Sequence, residues 1–100
     1  MSTFVMLTQL NGSEVKSAKS YEKLEKDVVE AIQNDCPDVK WLTNLATMGP
    51  YDYVDIFEAP DIDEAMKVGA IVRSKGNAKV EIWGAESWKR FKELMREIPA

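Results

Sequence analysis

The sequence has no histidine and a single cysteine, Cys36, in 100 residues. Without histidine there is no Ser-His or Cys-His nucleophile pair, no His-containing zinc site and no haem held by a proximal His. One cysteine makes neither an internal disulfide nor a thiolate metal cage. No apolar run approaches the roughly 18 residues of a membrane span, and Met1-Ser2-Thr3-Phe4 lacks the charged flank of a signal peptide, so a cytoplasmic location is expected. Cations are also in deficit. Thirteen Lys and Arg against 17 Asp and Glu leave a formal net charge of −4, which argues against nucleic acid or an anionic membrane as the main partner.

What is present suits one small domain over residues 1–100. Hydrophobic residues make up 45% of the chain and charged residues 30%, enough of the former for an ordered core rather than a disordered segment. A chain of this length buries roughly 65% of its unfolded surface, so it can fold alone, and association would add to its stability. The charge is unevenly spread. Residues 1–41 carry 5 basic and 7 acidic groups, 42–66 carry 0 and 6, and 67–100 carry 8 and 4. The acidic middle and basic end can attract one another within a chain or between copies, an effect that salt weakens.

Periodicity divides the chain into seven elements. Thr3 to Leu10 is too short an apolar run for a helix and ends at Asn11-Gly12, a turn pair, which predicts a first strand. Tyr21, Leu24, Val28, Ala31 and Ile32 then recur at helical spacing. Ser20 is the expected N-cap, and Pro37 disfavours helix in the residue before it, ending the element. Val39 to Met48 and Tyr53 to Ala59 flank Gly49-Pro50-Tyr51-Asp52 and predict a hairpin. Asp61, with Glu64 three residues on, predicts the start of a second helix that stops at Gly76. Asn77 to Gly84 alternates as a fourth strand, and Trp88, Phe91, Leu94, Met95 and Ile98 form a helical stripe over residues 86–98.

The order β-α-β-β-α-β is that of an α+β, ferredoxin-like domain with a core over residues 3–85 and an added C-terminal helix. Right-handed crossovers then require a four-stranded antiparallel sheet of order 4-1-3-2 with two helices on one face. On this reading Val54, Ile56, Val80 and Ile82 face the helices, while Tyr53, Asp55, Phe57, Lys79, Glu81 and Trp83 face outward. An outward set with that many aromatics predicts a second sheet packed against it.

The turn Thr47-Met48-Gly49-Pro50-Tyr51-Asp52 resembles that of the GYD-domain family, named for Gly, Tyr and Asp at this place. The likeness extends to Leu7-Thr8-Gln9 in the first strand, Glu58-Ala59-Pro60-Asp61 before the second helix, and Gly76-Asn77 before the last strand, in the family's order over residues 3 to about 85. What the resemblance implies is structural: small bacterial and archaeal proteins similar to the dimeric α/β-barrel superfamily, in which two ferredoxin-like sheets pack face to face. It attaches no reaction to the chain. The final helix is expected either to cover a sheet edge or to reach across to a partner.

Two residue groups are candidate sites. Tyr51 and Asp52 either brace the hairpin or present a hydroxyl and a carboxylate to a small polar molecule. Tyr53, Asp55, Phe57, Glu81 and Trp83 either form a dimer interface, with Lys79 pairing Asp55 or Glu81, or wall a pocket in which a carboxylate of raised pKa acts as base. Asp61, Asp63 and Glu64 are read as helix-capping residues rather than cation ligands, and Cys36 as a small packed side chain. The expectation is a homodimer or higher oligomer that binds a small organic molecule or serves assembly, without cofactor, metal or catalysis of its own. The alternatives are a cofactor-independent, monooxygenase-like enzyme of the dimeric α/β-barrel type, whose base would be Asp55, Glu81 or Asp52, and a purely structural oligomer.

Overall fold

A computed structural model describes residues 1–11 and 17–99. The Asn11-Gly12 turn expected from the sequence reaches outside the described residues. The elements are β1 (Ser2–Leu10), α1 (Ala18–Asp35), β2 (Lys40–Ala46), β3 (Tyr53–Ala59), α2 (Ile62–Lys75), β4 (Ala78–Ala85) and α3 (Trp88–Arg96). The sheet order is β2-β3-β1-β4, which is 4-1-3-2 read from the other edge, with every neighbour antiparallel. The fold is therefore the α+β, ferredoxin-like arrangement expected.

Local chemistry explains the boundaries. Asp61 accepts a hydrogen bond from the Glu64 N–H at 2.9 Å and starts α2. Acidic Asp63 and Glu64 lie in its first turn and basic Arg73 and Lys75 in its last, each favourable to the helix dipole. Gly76 closes α2 in right-handed backbone. A Cβ there would stand 2.5 Å from the Val72 carbonyl oxygen, so bare backbone is required, and the left-handed residue is the following Asn77 at φ 49°. In α1 the cap lies a turn earlier than expected. Ser17, not Ser20, is the N-cap, its Oγ accepting from the Ser20 N–H at 3.2 Å. The apolar stripe begins only at Tyr21, so periodicity carries no signal for the Ala18–Ser20 turn.

Register decides which side chains share a face, because directly paired residues point the same way. β1 pairs Phe4 with Phe57 and Gly84, Met6 with Asp55 and Ile82, and Thr8 with Tyr53 and Val80. Phe4, Met6 and Thr8 are buried on the helix side. Tyr53, Asp55 and Phe57 therefore also face the helices, and Val54 and Ile56 face outward: the reverse of the sequence expectation for β3. In β4 the expectation holds, with Val80 and Ile82 inward and Lys79, Glu81 and Trp83 outward. Leu42 is the extra residue of a bulge between Trp41 and Thr43, after which β2 pairs Asn44 with Asp55.

The core lies between this face and the helices. Phe57 is fully buried, stacked on Phe4 at 5.6 Å between centroids and met by Trp41 at 5.3 Å. α2 adds Ala65, Val68 and Val72. It approaches the sheet closely at Gly69, where a Cβ would meet Ile82 Cδ1 at 2.7 Å. By contrast, no Cα of α1 comes within 8 Å of a strand Cα among the described residues, although α1 packs on α2. Among the described residues α3 comes that close to no other element, and its apolar stripe is exposed.

Because Phe57 sits in the core rather than on the open face, Phe57→Ala is expected to cost about 3–5 kcal/mol in urea unfolding. A cost below about 1 kcal/mol would return the residue to the surface.

Candidate functional site

The spacing of α1 from the sheet has a direct result. Tyr21, Leu24, Val28 and Ile32 of α1 stand opposite Met6, Thr8, Trp41, Tyr53 and Asp55 of the strands, and between them lies a cavity of about 590 Å³. That volume is in the range of small-molecule sites. Its walls are mainly apolar, and among the described residues they include no Lys or Arg. The only acidic side chains in them are Asp55 and Glu25.

Polar groups are concentrated on the strand floor. Asp55 is held by Asn44, whose Nδ2 donates to Oδ1 at 2.7 Å. Burial raises the Asp55 pKa above the usual carboxylate range, and the Asn44 hydrogen bond opposes that rise. Tyr53, beside it on the same face, is also raised, first by burial and then by nearby charge, so its phenol keeps its proton. Thr8 is 3% exposed and its Oγ1 has no hydrogen-bond partner among the described residues. A buried hydroxyl left in that state loses roughly 1–3 kcal/mol relative to one that is bonded. At the far end Cys36 is buried, and burial followed by the Glu64 carboxylate pushes its thiol pKa up, so it is no activated nucleophile.

The other sequence candidates lie elsewhere. Asp52 is a brace: Leu10 N–H donates to its Oδ2 at 2.7 Å, while its own N–H donates to the Thr8 carbonyl at 2.8 Å. Thr47 closes the turn, its N–H donating to Asp52 O at 2.9 Å and its hydroxyl to Tyr51 O at 2.7 Å. Tyr51 hydroxyl donates to the Glu81 carboxylate, which also accepts from Trp83 Nε1–H at 3.3 Å. Tyr51, Glu81 and Trp83 thus form one hydrogen-bonded group, away from the cavity. The outward set expected from the sequence is split between two faces, and Asp55 lies on the opposite face from Lys79. Asp61 and Glu64 serve α2, the latter pairing with Lys67 at 3.2 Å.

Sequence reasoning missed Thr8, Asn44 and the α1 wall. The available signal was Asn44, a side-chain amide between Trp41 and Leu45 in β2.

With this geometry in view, the family model for the GYD domain matches residues 4–95. The chain belongs to the GYD-domain family. No curated protein matches it. Among the described residues no helix is long and apolar enough to cross a membrane.

Two outcomes follow for the carboxylates. Asp52→Ala removes the acceptor for Leu10 N–H and is expected to cost about 1–3 kcal/mol, lowering the melting temperature by several degrees, whereas Asp52→Asn keeps an acceptor and loses less. Equal, negligible effects would contradict the bracing role. Asp55 is tested through pH. Its raised folded pKa favours the native state below the ordinary value of about 4, and that contribution is lost as pH rises through the folded value. Asp55→Asn removes the loss, so urea midpoints of the variant should gain on the wild type as pH rises above about 4. A variant that instead falls behind as pH rises would show that the carboxylate form is the favoured one.

Proposed function

We propose that this protein is a homodimeric binding module that holds a small, largely apolar molecule in the cavity under α1, without a reaction of its own. The observation that carries the reading is the cavity floor, where a buried Thr8 hydroxyl with no partner among the described residues and the Asn44-bound carboxylate of Asp55 stand in mainly apolar walls. A ligand with one hydrogen-bonding group satisfies both, and its apolar body replaces water against Leu24, Val28, Ile32 and Trp41. The charge of the walls selects the head group. With Asp55 and Glu25 present and no Lys or Arg among the described lining residues, an alcohol, phenol, amide or amine suits the site, and an organic acid or phosphate does not.

The homodimer is supported by the open face of the sheet. Val5, Leu7, Val54, Ile56 and Trp83 share it by register, and Trp83 is 51% exposed. One observation favours a second reading, an enzyme: a carboxylate of raised pKa in an apolar cavity is suited to accept a proton from a bound substrate.

A matched series on one ring tests the ligand class. 2-Naphthalenemethanol and 2-naphthylmethylamine are expected to bind by titration calorimetry at least about tenfold more tightly than 2-naphthoate, and Asp55→Asn should remove the amine's advantage. Carboxylate binding as tight as the alcohol's, or binding by none of the three, contradicts the proposal. Conversion of a bound compound, followed by NMR, would favour the enzyme.

A further inference from the structure

α3 is an amphipathic helix, and no other element comes within 8 Å of it, Cα to Cα, among the described residues. Ser87 caps it, accepting from Arg90 N–H at 3.1 Å, so the helix has a defined start. Trp88, Phe91, Leu94, Met95 and Ile98 lie at helical spacing and are exposed, Trp88 by 77%. Trp88 and Phe91 make an edge-to-face pair at 6.1 Å, and no other element comes near them. The chain is 54 Å long on its greatest axis, and its radius of gyration of 15.4 Å exceeds the roughly 13 Å of a compact chain this size. A stripe with two adjoining aromatics, held clear of the body, is an interaction surface.

The geometry points to a second copy of this chain as its occupant, with the α3 of each protomer laid on the open sheet face of the other. This rests on the homodimer proposed above. Three observations select that occupant. The first is charge. Residues 88–96 hold four basic and one acidic residue in a chain of net charge −4, so the rest of the chain carries −7. A body that acidic attracts the helix of another copy and is repelled by an anionic lipid surface. The second is continuity: Trp83, half exposed on the open face, precedes Trp88 by five residues, so apolar surface runs from the sheet onto the arm. The third is area. Four strands about 4.8 Å apart and about 24 Å long offer roughly 450 Å² in projection. A stable interface takes about 800 Å² of accessible surface from each partner, and the exposed stripe of α3 adds to what the sheet face offers.

Sedimentation equilibrium of the full chain tests this, with Phe91→Glu/Met95→Glu on the arm and Ile56→Glu on the open face. Since Phe91 and Met95 are exposed, the arm variant should keep its circular dichroism spectrum. The full chain is expected to be a dimer, and each variant should weaken dimerisation at least about tenfold. A dimer disrupted by Ile56→Glu but indifferent to the arm variant overturns the arm and leaves the sheet interface standing. Disruption by the arm variant alone means that the two helices pair with each other, and overturns the inference likewise. A full chain that is monomeric at micromolar concentration overturns both the arm and the homodimer. Binding of that monomer to phosphatidylserine vesicles, lost in the arm variant, would assign the helix to lipid instead.

Discussion

The pairing of β1 with strands on both sides is the constraint on which the rest of the structure depends. A central strand hydrogen-bonded at both edges admits one register, and a slip of one residue would exchange the two faces of the whole sheet. Asp52 fixes that register at the end of the ladder. Its carboxylate takes the Leu10 N–H and its amide reaches the Thr8 carbonyl, so the β2–β3 hairpin is tied to β1 beyond its last paired residues. Once Thr8 is opposite Tyr53 and Val80, the alternation of three strands is set. Phe57 then enters the core, Asp55 enters the space under α1, and Val54 and Ile56 are left on the open side.

Side-chain size on the two helices turns that face into a cavity at one end. α2 presents Ala65, Gly69 and Val72 to the sheet and lies so close that Ile82 occupies the space a Cβ on Gly69 would need. α1 presents Tyr21, Leu24, Val28 and Ile32, longer side chains that hold its backbone farther away. Burial there is incomplete, and two features of the floor, a carboxyl whose pKa burial raises and a hydroxyl with no partner among the described residues, belong to the same loosely filled space. A site of this kind is suited to ligand and less to stability, because the Thr8 hydroxyl has no partner among the described residues and Asp55 has one, Asn44.

Much of the fold was legible in the chain because each local signal agreed with the others. Asp61 and Glu64 announce α2, Pro60 ends β3, and the alternation of Val80 and Ile82 with Lys79 and Glu81 leaves only one choice for β4. β3 was not legible in the same way. In Tyr53-Val54-Asp55-Ile56-Phe57 both alternate sets are largely apolar, since one meets the helices and the other meets an open face that is itself apolar. Hydropathy favoured Val54 and Ile56 as the inner pair, whereas ring packing of Phe57 between Phe4 and Trp41 makes them outer. Tyr51, Glu81 and Trp83 stayed together, but Tyr53 and Asp55 belonged to another site, and Thr8 carried no mark that would separate it from a β-forming strand residue.

The proposed site depends on Asp55 lying in a desolvated space beneath α1, and the titration of its own carboxyl carbon by 13C NMR measures that directly. The midpoint is predicted to lie above the ordinary aspartate range, with Asn44→Ala moving it further up by removing the hydrogen bond that favours the charged form. A midpoint at or below the ordinary range would mean that water or a cation reaches the carboxylate, and would contradict the desolvating, largely apolar surroundings described for it.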